Sequence, residues 1–515
     1  MIKRSLAILL AGTMILSLAT ACGKTPPVDN QTSSPTAKAE EPTPKTEGPT
    51  PPAEAAKIQL VFYGDESNRM KEFADNELAE RLKADLNVEL TLTHVPWSEY
   101  GGGKIDLMLA TGEDFASYTD PGNTSKNVAK GMFADLTQSA NQYLPDLKKA
   151  VKPEAFDSFT FDGKLYAVPI GNKPNSAEGY CLLVRQDLLE EVGMQSISSI
   201  EDFEKFYDLC KAKHPDYVGF AAANNLGTIL SYQISDKNIE LIDNGNSDQA
   251  LAFTDASAND DKVYSWYESE EFKKQAEIAH RWYKKEIIPQ YVLTNPSQSG
   301  TDFQAGKTMA IAGTAGKPLE EIDKLKSVVP NAELVNYFLG SGKAKINRQP
   351  WSTAYFVSAA SENVDAYMRL LNYMQQNRDN VDFLTYGVKG KDYELDGESV
   401  VKKTPDGFFN DWMLMNVNFM RFPKGTSDDF IKQYKSWDDG CIKGKAVGFT
   451  FNGESVKTEK AKLDAILAEL AKPIGYGFVP YEGNYDKLIK KLKDAGLDTY
   501  MAEMQKQFSE FRATR

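Results

Sequence analysis

Histidine is scarce in this chain, which has only His94, His214 and His280 among its 515 residues. None of the three has a second metal ligand at helical spacing, so they predict no metal site. The sequence also lacks the Gly-x-Ser-x-Gly turn of a nucleophilic serine. Gly300 and Gly306 enclose one residue too many for a phosphate-binding loop. We therefore expect no cofactor, no metal and no catalysis that depends on histidine.

Cysteine is almost as rare, with four residues in the whole chain. Cys181, Cys210 and Cys441 are odd in number and far apart, so they predict neither a disulfide framework nor a zinc site. Buried or free thiols are expected at these positions, with one disulfide as the alternative. The fourth residue, Cys22, follows an apolar segment near the start of the chain.

Positive charge is in deficit, because 73 acidic residues outweigh 59 Lys and Arg and give a formal net charge of −14. That balance argues against nucleic acid or an anionic lipid surface as a partner, since both favour basic patches. After the first apolar segment, no other apolar run reaches membrane-spanning length. The rest of the chain is long enough for two or three globular domains.

The start of the chain predicts export. Lys3 and Arg4 give a basic beginning, and Ser5–Ala21 carries no charge before Cys22. This pattern is typical of a lipoprotein signal peptide over residues 1–21, with a lipid such as palmitate on Cys22. An ordinary secretory signal with a chance cysteine is the alternative. Residues 22–57 are rich in proline and threonine, so they predict an extended linker that holds the protein at the extracellular face of the cell membrane.

Strand and helix patterns alternate in the following region. Ile58–Tyr63 is predicted as a buried strand, a helix with an apolar face begins near Asn68, and Val88–His94 alternates as a second strand. Phe115–Thr119 is a further strand, and the order predicts an α/β fold. Ligands lie at the carboxyl ends of strands in open α/β sheets. The ligand-binding residues predicted on this basis are Tyr63, Asp65, Glu66, Tyr118, Asp120 and Asn123.

Tryptophan and tyrosine are well represented, with 6 and 24 residues. Their flat rings with a polar edge stack on sugar rings, while acids and amides bind the hydroxyls. For any single tryptophan, a place in the core is the competing interpretation. As a group, the tryptophans beside predicted loops and strand ends favour a carbohydrate cleft. The candidates are Trp97, Trp266, Trp351 and Trp412.

Several segments spread over the chain carry a family resemblance. They are Ile105–Phe115, Val128–Phe133, Val184–Met194, Phe303–Ile311, Phe383–Leu395, Gly448–Thr458 and Leu488–Gln507. Together they resemble the lipid-anchored solute-binding proteins of bacterial ABC importers, in the carbohydrate-associated LplA-like group. The last two segments are similar to the C-terminal domain that defines this group.

The resemblance implies a two-lobe, periplasmic-binding-protein-like (Venus flytrap) α/β fold with strands that cross between the lobes. The expected division assigns residues 58–168 and 303–357 to lobe 1, and residues 169–302 and 358–515 to lobe 2, the last with the C-terminal region. Crossings are expected near Ala167–Asn172, Phe303–Gly313 and Trp351–Ser358.

The implied function is capture of a carbohydrate, expected to be an oligosaccharide, between the lobes and its delivery to the transmembrane subunits of an ABC permease. No enzymatic turnover is implied, a monomer is expected, and Asn418 joins the predicted ligand-binding residues. A peptide or another small solute is the alternative ligand. A surface glycan-active enzyme or an adhesin is the alternative from a different class.

Overall fold

The computed structural model describes residues 54–514 apart from short gaps. The gaps are 65, 97–98, 100–102, 172–173, 175, 177–180, 222–225, 227–228, 231–234, 244–248, 296–297, 340–342, 352 and 405–407, and residues 221, 411 and 412 are described by their backbone alone. The predicted signal peptide, Cys22 and nearly all of the linker lie outside the described residues. Asp65 and Trp97 lie outside them as well. Within the described part, no helix is both long and apolar enough to span a bilayer.

A five-stranded sheet forms the centre of the first lobe. In spatial order its strands are Val88–Val95, Ala56–Tyr63, Ala116–Thr119, Thr353–Val357 and Ala167–Ile170. The first three strands are parallel, and Thr353–Val357 runs antiparallel to both of its neighbours. Each of the three strands predicted in this region is confirmed, with ends that differ by no more than two residues.

Helices pack around this sheet. Apolar residues recur at helical spacing along them, so each helix has an apolar face that it buries against the sheet. Ser67 caps the first of them by accepting a hydrogen bond from the Met70 backbone N–H at 3.0 Å, and Met70, Phe73 and Leu82 are buried. The helices of this lobe are Asn68–Phe73, Ala79–Leu86, Lys104–Ala110, Pro121–Val128, Thr137–Tyr143, Pro145–Ala150, Pro153–Asp157, Val364–Tyr373, Arg378–Tyr386 and Asp411–Leu414. A π-helical segment, Ala74–Leu78, joins the first two.

The second lobe is built on a four-stranded sheet. Its strands in spatial order are Leu334–Phe338, Cys181–Arg185, Thr308–Gly313 and Val218–Ala221. Its helices are Gln186–Glu191, Ile200–Lys213, Gln298–Gln304, Lys317–Lys326 and Asp428–Lys435. Cys181 and Cys210 are buried here, and burial raises the pKa of each thiol to about 12, so neither forms a thiolate near neutral pH. No disulfide joins Cys181, Cys210 and Cys441 to one another.

A third, antiparallel sheet carries the C-terminal helices. Its strands are Val263–Ser265, Ala252–Asp255 and Ile239–Leu241, in spatial order. The helices with residues in its core are Glu270–Lys284, Lys457–Ile466, Lys472–Gly475, Tyr485–Asp494 and Leu497–Ala513. Leu463, Leu467, Leu488 and Leu492 lie in the same buried cluster as the sheet residue Phe253. The C-terminal helices and this sheet therefore form one packed body.

Three short strand pairs complete the fold. Tyr393–Asp396 pairs with Ser399–Lys402, and Thr160–Phe161 pairs with Lys164–Leu165. The third pair is Ile346–Asn347 with Ile442–Lys443, and it joins two segments that are distant in the sequence.

Strand pairing corrects the expected division at residue 303. Thr308–Gly313 pairs with Cys181–Arg185, so it belongs to the second lobe and Phe303–Gly313 is not a crossing. The chain returns to the first sheet only with Thr353–Val357. The local sequence pattern of a strand fits either sheet, so only the observed pairing decides between them. The other two expected crossings coincide with real changes of sheet.

The boundary expected at residue 358 is also too early. Val364–Tyr373 and Arg378–Tyr386 contribute to the core of the first sheet, and so does Leu414. The next residue packed against a second-lobe cluster is Val417, and Phe422 of that cluster packs with Tyr434. The chain therefore passes from the first lobe to the second between residues 414 and 417.

Candidate ligand-binding cavity

A cavity of about 490 Å³ lies where the first lobe, a crossing segment and the C-terminal body meet. Its size is in the range of sites for small molecules. The residues that line it are Asp120–Gly122 from the first lobe, Glu240–Asp243 from the third sheet and the turn after it, Arg348, Gln349 and Trp351 from the crossing, and Ala446, Gly448–Phe451, Gly453, Lys460 and Tyr500 from the C-terminal region.

The first-lobe edge of the cavity is the start of a helix. Pro121–Val128 is helical, with Asp120 as its N-cap, whereas the sequence predicted a loop up to Asn123. The Asp120 carboxylate accepts hydrogen bonds from the Asn123 backbone N–H at 2.9 Å and from its side-chain Nδ2 at 2.6 Å. Aspartate followed by proline is a sequence signal for N-cap and first helical residue. Asp120 therefore lines the cavity, while the Asn123 amide is used in the cap.

Glu240 is a buried carboxylate on the wall that faces the C-terminal region. It is 1% exposed, and its oxygens accept hydrogen bonds from the backbone N–H groups of Lys445 at 2.7 Å and Ala446 at 3.2 Å. Burial raises the pKa of Glu240, and these bonds and the charge of Arg348 oppose that shift. A Cβ atom at Gly444 would clash with this carboxylate, so glycine is required there.

Asp243 is held in a similar way. Its Oδ2 accepts hydrogen bonds from the Leu251 backbone N–H at 2.9 Å and from the Tyr500 hydroxyl at 3.2 Å, and Oδ1 accepts one from the Ala252 N–H at 3.3 Å. Burial raises the pKa of Asp243 to about 6, against the opposing effect of these bonds and of Lys460. Both acids therefore attach neighbouring segments to the cavity wall.

Aromatic rings lie on two sides of the cavity. On the crossing segment, Trp351 is 7% exposed and packs edge to face on Phe159, with ring centres 5.2 Å apart. On the C-terminal side, the Phe451 ring is half-buried and packs edge to face on Tyr500 at 5.2 Å. Rings held in this way keep a fixed orientation.

Two of the predicted residues, Asp120 and Trp351, line the cavity, but others from the same loops do not. Tyr63 and Tyr118 are buried at their strand ends, where their rings pack against each other 4.9 Å apart. Glu66 faces His94, with 3.5 Å between Oε1 and Nδ1. The backbone at the carboxyl end of a strand can lie near a ligand site. Which side chains reach that site depends on how they pack against their neighbours.

The structure places neither Trp266 nor Asn418 in the lining of this cavity. Trp266 is fully buried in the third-sheet cluster and packs against Phe253 and Phe272, so the core interpretation is right for this residue. Asn418 is exposed, lies away from the cavity, and its carbonyl accepts a hydrogen bond from Arg378. The Trp412 side chain, like Trp97 and Asp65, lies outside the described residues.

Sequence reasoning missed most of the cavity. The residues it did not identify include Glu240, Asp243, Arg348, Phe451, Lys460 and Tyr500. These residues come from three segments that are distant in the sequence, so no spacing connects them. One local signal was present, since Gly448–Gly453 alternates rings with glycines and polar residues, a composition typical of a loop that presents aromatic side chains.

Two α/β lobes with crossing segments, and a cavity where the first lobe, a crossing segment and the C-terminal body meet, are typical of a solute-binding protein. The family model described as bacterial extracellular solute-binding protein matches residues 65–381, and a domain of unknown function, DUF3502, matches residues 445–513. The chain belongs to the bacterial extracellular solute-binding protein family. The family resemblance and the two-lobe fold predicted from sequence are both confirmed, and the second match contains the two C-terminal segments that carried the resemblance.

Relatives match along nearly the whole chain. A carbohydrate ABC transporter substrate-binding protein from Streptococcus pneumoniae serotype 4 is 27% identical over 88% of this chain and 90% of its own length. Lipoprotein LipO from Bacillus subtilis is 21% identical over 82% and 86%. Among solved structures, the N-glycan transport solute-binding protein NgtS from S. pneumoniae superposes with a TM-score of 0.75 at 23% identity, covering 89% of this chain and 99% of NgtS. Its complex with Man1GlcNAc superposes with a TM-score of 0.70 at 25% identity.

Proposed function

We propose that this protein is the extracellular receptor of an ABC importer and captures a carbohydrate, expected to be an oligosaccharide, in the cavity lined by Trp351 and Phe451. The observation that carries the proposal is the chemistry of the lining. Aromatic rings on two sides offer flat apolar surfaces, and Arg348, Lys460 and Asp243 offer charged groups beside them. Sugars present apolar C–H faces and a rim of hydroxyls, so they suit both kinds of group.

The names of the relatives support a sugar over a peptide or another small solute. One relative is named for carbohydrate transport, and NgtS has been crystallised with Man1GlcNAc. Delivery to the membrane subunits of an ABC permease follows from the same class of protein. Lipid attachment at Cys22 would hold the receptor at the extracellular face of the membrane, within reach of that permease.

Binding without turnover is the mechanism we propose. A ligand in the cavity contacts the start of the helix Pro121–Val128 on one side and the C-terminal region on the other. It therefore stabilises the conformation in which both parts of the protein touch it. Glu240 and Asp243, the two acids that line the cavity, accept hydrogen bonds from backbone N–H groups and so have a structural role in the fold. A surface enzyme or adhesin therefore has less support than a receptor.

Thermal unfolding of the full chain in detergent, against a panel of oligosaccharides, monosaccharides and short peptides, tests the proposal. A ligand that binds only the folded state stabilises it by RT ln(1 + [L]/Kd), which is about 2.7 kcal/mol at a hundredfold excess over Kd. We expect one class of oligosaccharide to raise Tm and to be recovered intact. A response to peptides alone, or release of a cleaved sugar, would contradict the proposal.

A further inference from the structure

We infer that residues 445–513, the segment matched by the domain of unknown function, form the wall of the cavity that selects the sugar, with the Phe451 ring as its stacking surface. We call this segment the C-terminal wall. The inference rests on the proposed carbohydrate receptor and assigns that selectivity to one part of the chain.

The C-terminal wall contributes nearly half of the residues that line the cavity. Most of them come from one short stretch, Ala446–Gly453, and the others are Lys460 and Tyr500 from the two helices behind it. The matched segment is therefore a structural part of the ligand site.

The first-lobe side offers much less for recognition. Its lining residues are Asp120, Pro121 and Gly122. The Asp120 carboxylate caps its helix, and the other two residues have no polar side chain. Discrimination between sugars that differ in one hydroxyl needs side chains beside the ligand, so it falls mainly to the crossing segment, to Glu240–Asp243 and to the C-terminal wall, which contributes the most lining residues.

The C-terminal wall is rigidly attached before any ligand arrives. Its first residues, Lys445 and Ala446, donate backbone hydrogen bonds to Glu240, and the Tyr500 hydroxyl donates to Asp243. Its helices share a buried core with the third sheet. Little ordering entropy is then lost at this surface on binding, which favours both affinity and selectivity.

Phe451 is the ring of this wall best placed to stack on a sugar. It lines the cavity and is half-buried, and its edge-to-face contact with buried Tyr500 fixes its plane. Phe449 also lines the cavity, but it packs against both Phe508 and Phe511. Lys460, whose ammonium pairs with Asp464, and Asp243 line the same cavity as Phe451.

A pair of matched variants tests the inference. Phe451→Leu keeps an apolar side chain but removes the flat face, whereas Phe478→Leu makes the same change at a half-buried ring of the same wall that packs on Tyr283 and does not line the cavity. Using the full chain and calorimetry, we expect Phe451→Leu to raise the Kd for the sugar roughly tenfold and to alter the ratio of Kd values between two epimers. Phe478→Leu should leave both quantities unchanged.

Two further measurements make the outcomes separable. Phe451→Tyr restores the ring and should recover the affinity, and Tm without ligand shows whether each variant folds. Wild-type binding together with an unchanged Kd and epimer ratio in Phe451→Leu would overturn the inference while the proposed function stands. A wild-type chain that responds to no sugar would overturn the proposed function and this inference with it.

Discussion

Asp243 has a strongly shifted pKa at the edge of the cavity. The carboxyl titrates near 3.8 in its ordinary state and at about 6 in the folded chain, because burial disfavours its charge. Between these values the folded state keeps a proton that the unfolded chain has released. The contribution of Asp243 to the free energy of unfolding is therefore fully present below about pH 4, and it is lost as the pH rises to about 6.

We expect Asp243→Asn to flatten this pH dependence, because the amide does not ionise. Wild-type unfolding free energy should fall between pH 4 and 7 by up to about 3 kcal/mol more than that of the variant, from roughly 1.4 kcal/mol for each pKa unit. Urea denaturation at several pH values measures the difference. Asp498→Asn, an exposed change on the helix that carries Tyr500, is the control and should follow the wild type. Parallel profiles for wild type and Asp243→Asn would contradict the assignment.

At the scale of elements, the helix Pro121–Val128 connects the fold to the cavity through its cap. We expect Asp120→Ala to reduce the free energy of unfolding by about 1 kcal/mol and to weaken sugar binding several-fold, because the first helical turn forms the edge of the cavity. Ser199→Ala removes the equivalent cap of Ile200–Lys213, far from the lining. It should show the stability loss alone, as measured by urea denaturation and calorimetry. Equal Kd values for Asp120→Ala and Ser199→Ala would show that Asp120 does not contribute to sugar binding.

The sequence predicts individual helices and strands well, but it does not predict the sheet in which a strand pairs. Ile58–Tyr63 and Val88–His94 follow from local patterns of burial, which periodicity reports directly. The sheet to which Phe303–Ile311 belongs depends on strands far away in the chain, and periodicity contains no such information. The same limit explains Trp266, whose aromatic ring fits a sugar site or a core equally well until its neighbours are known.

At the scale of the whole molecule, Asp438 links both crossing segments to the second lobe. Its carboxylate accepts hydrogen bonds from the Ser176 backbone N–H at 2.8 Å and from Asn347 Nδ2 at 3.5 Å. The ammonium of Lys152, a first-lobe residue, lies 3.8 Å away. One side chain thus contacts two crossings and the opposite lobe.

We expect Asp438→Ala to speed hydrogen exchange in a peptide that includes Ser176 about fivefold, because the amide loses its acceptor. Mass spectrometry of the ligand-free chain measures this exchange. Lys152→Met removes only a partly exposed ion pair, which contributes little, and should leave the exchange rate near that of the wild type. Unchanged exchange in Asp438→Ala would show that the backbone of the crossing is held by other contacts.

The order of strands in the first sheet also dictates when this protein is able to fold. Thr353–Val357 lies between Ala116–Thr119 and Ala167–Ile170, so these two strands have no shared neighbour until the chain has been synthesised past Val357. A nascent chain shorter than that exposes two unpaired strand edges, which are prone to aggregation. The first sheet is therefore completed only late in synthesis, whereas all strands of the second sheet are already made by Phe338.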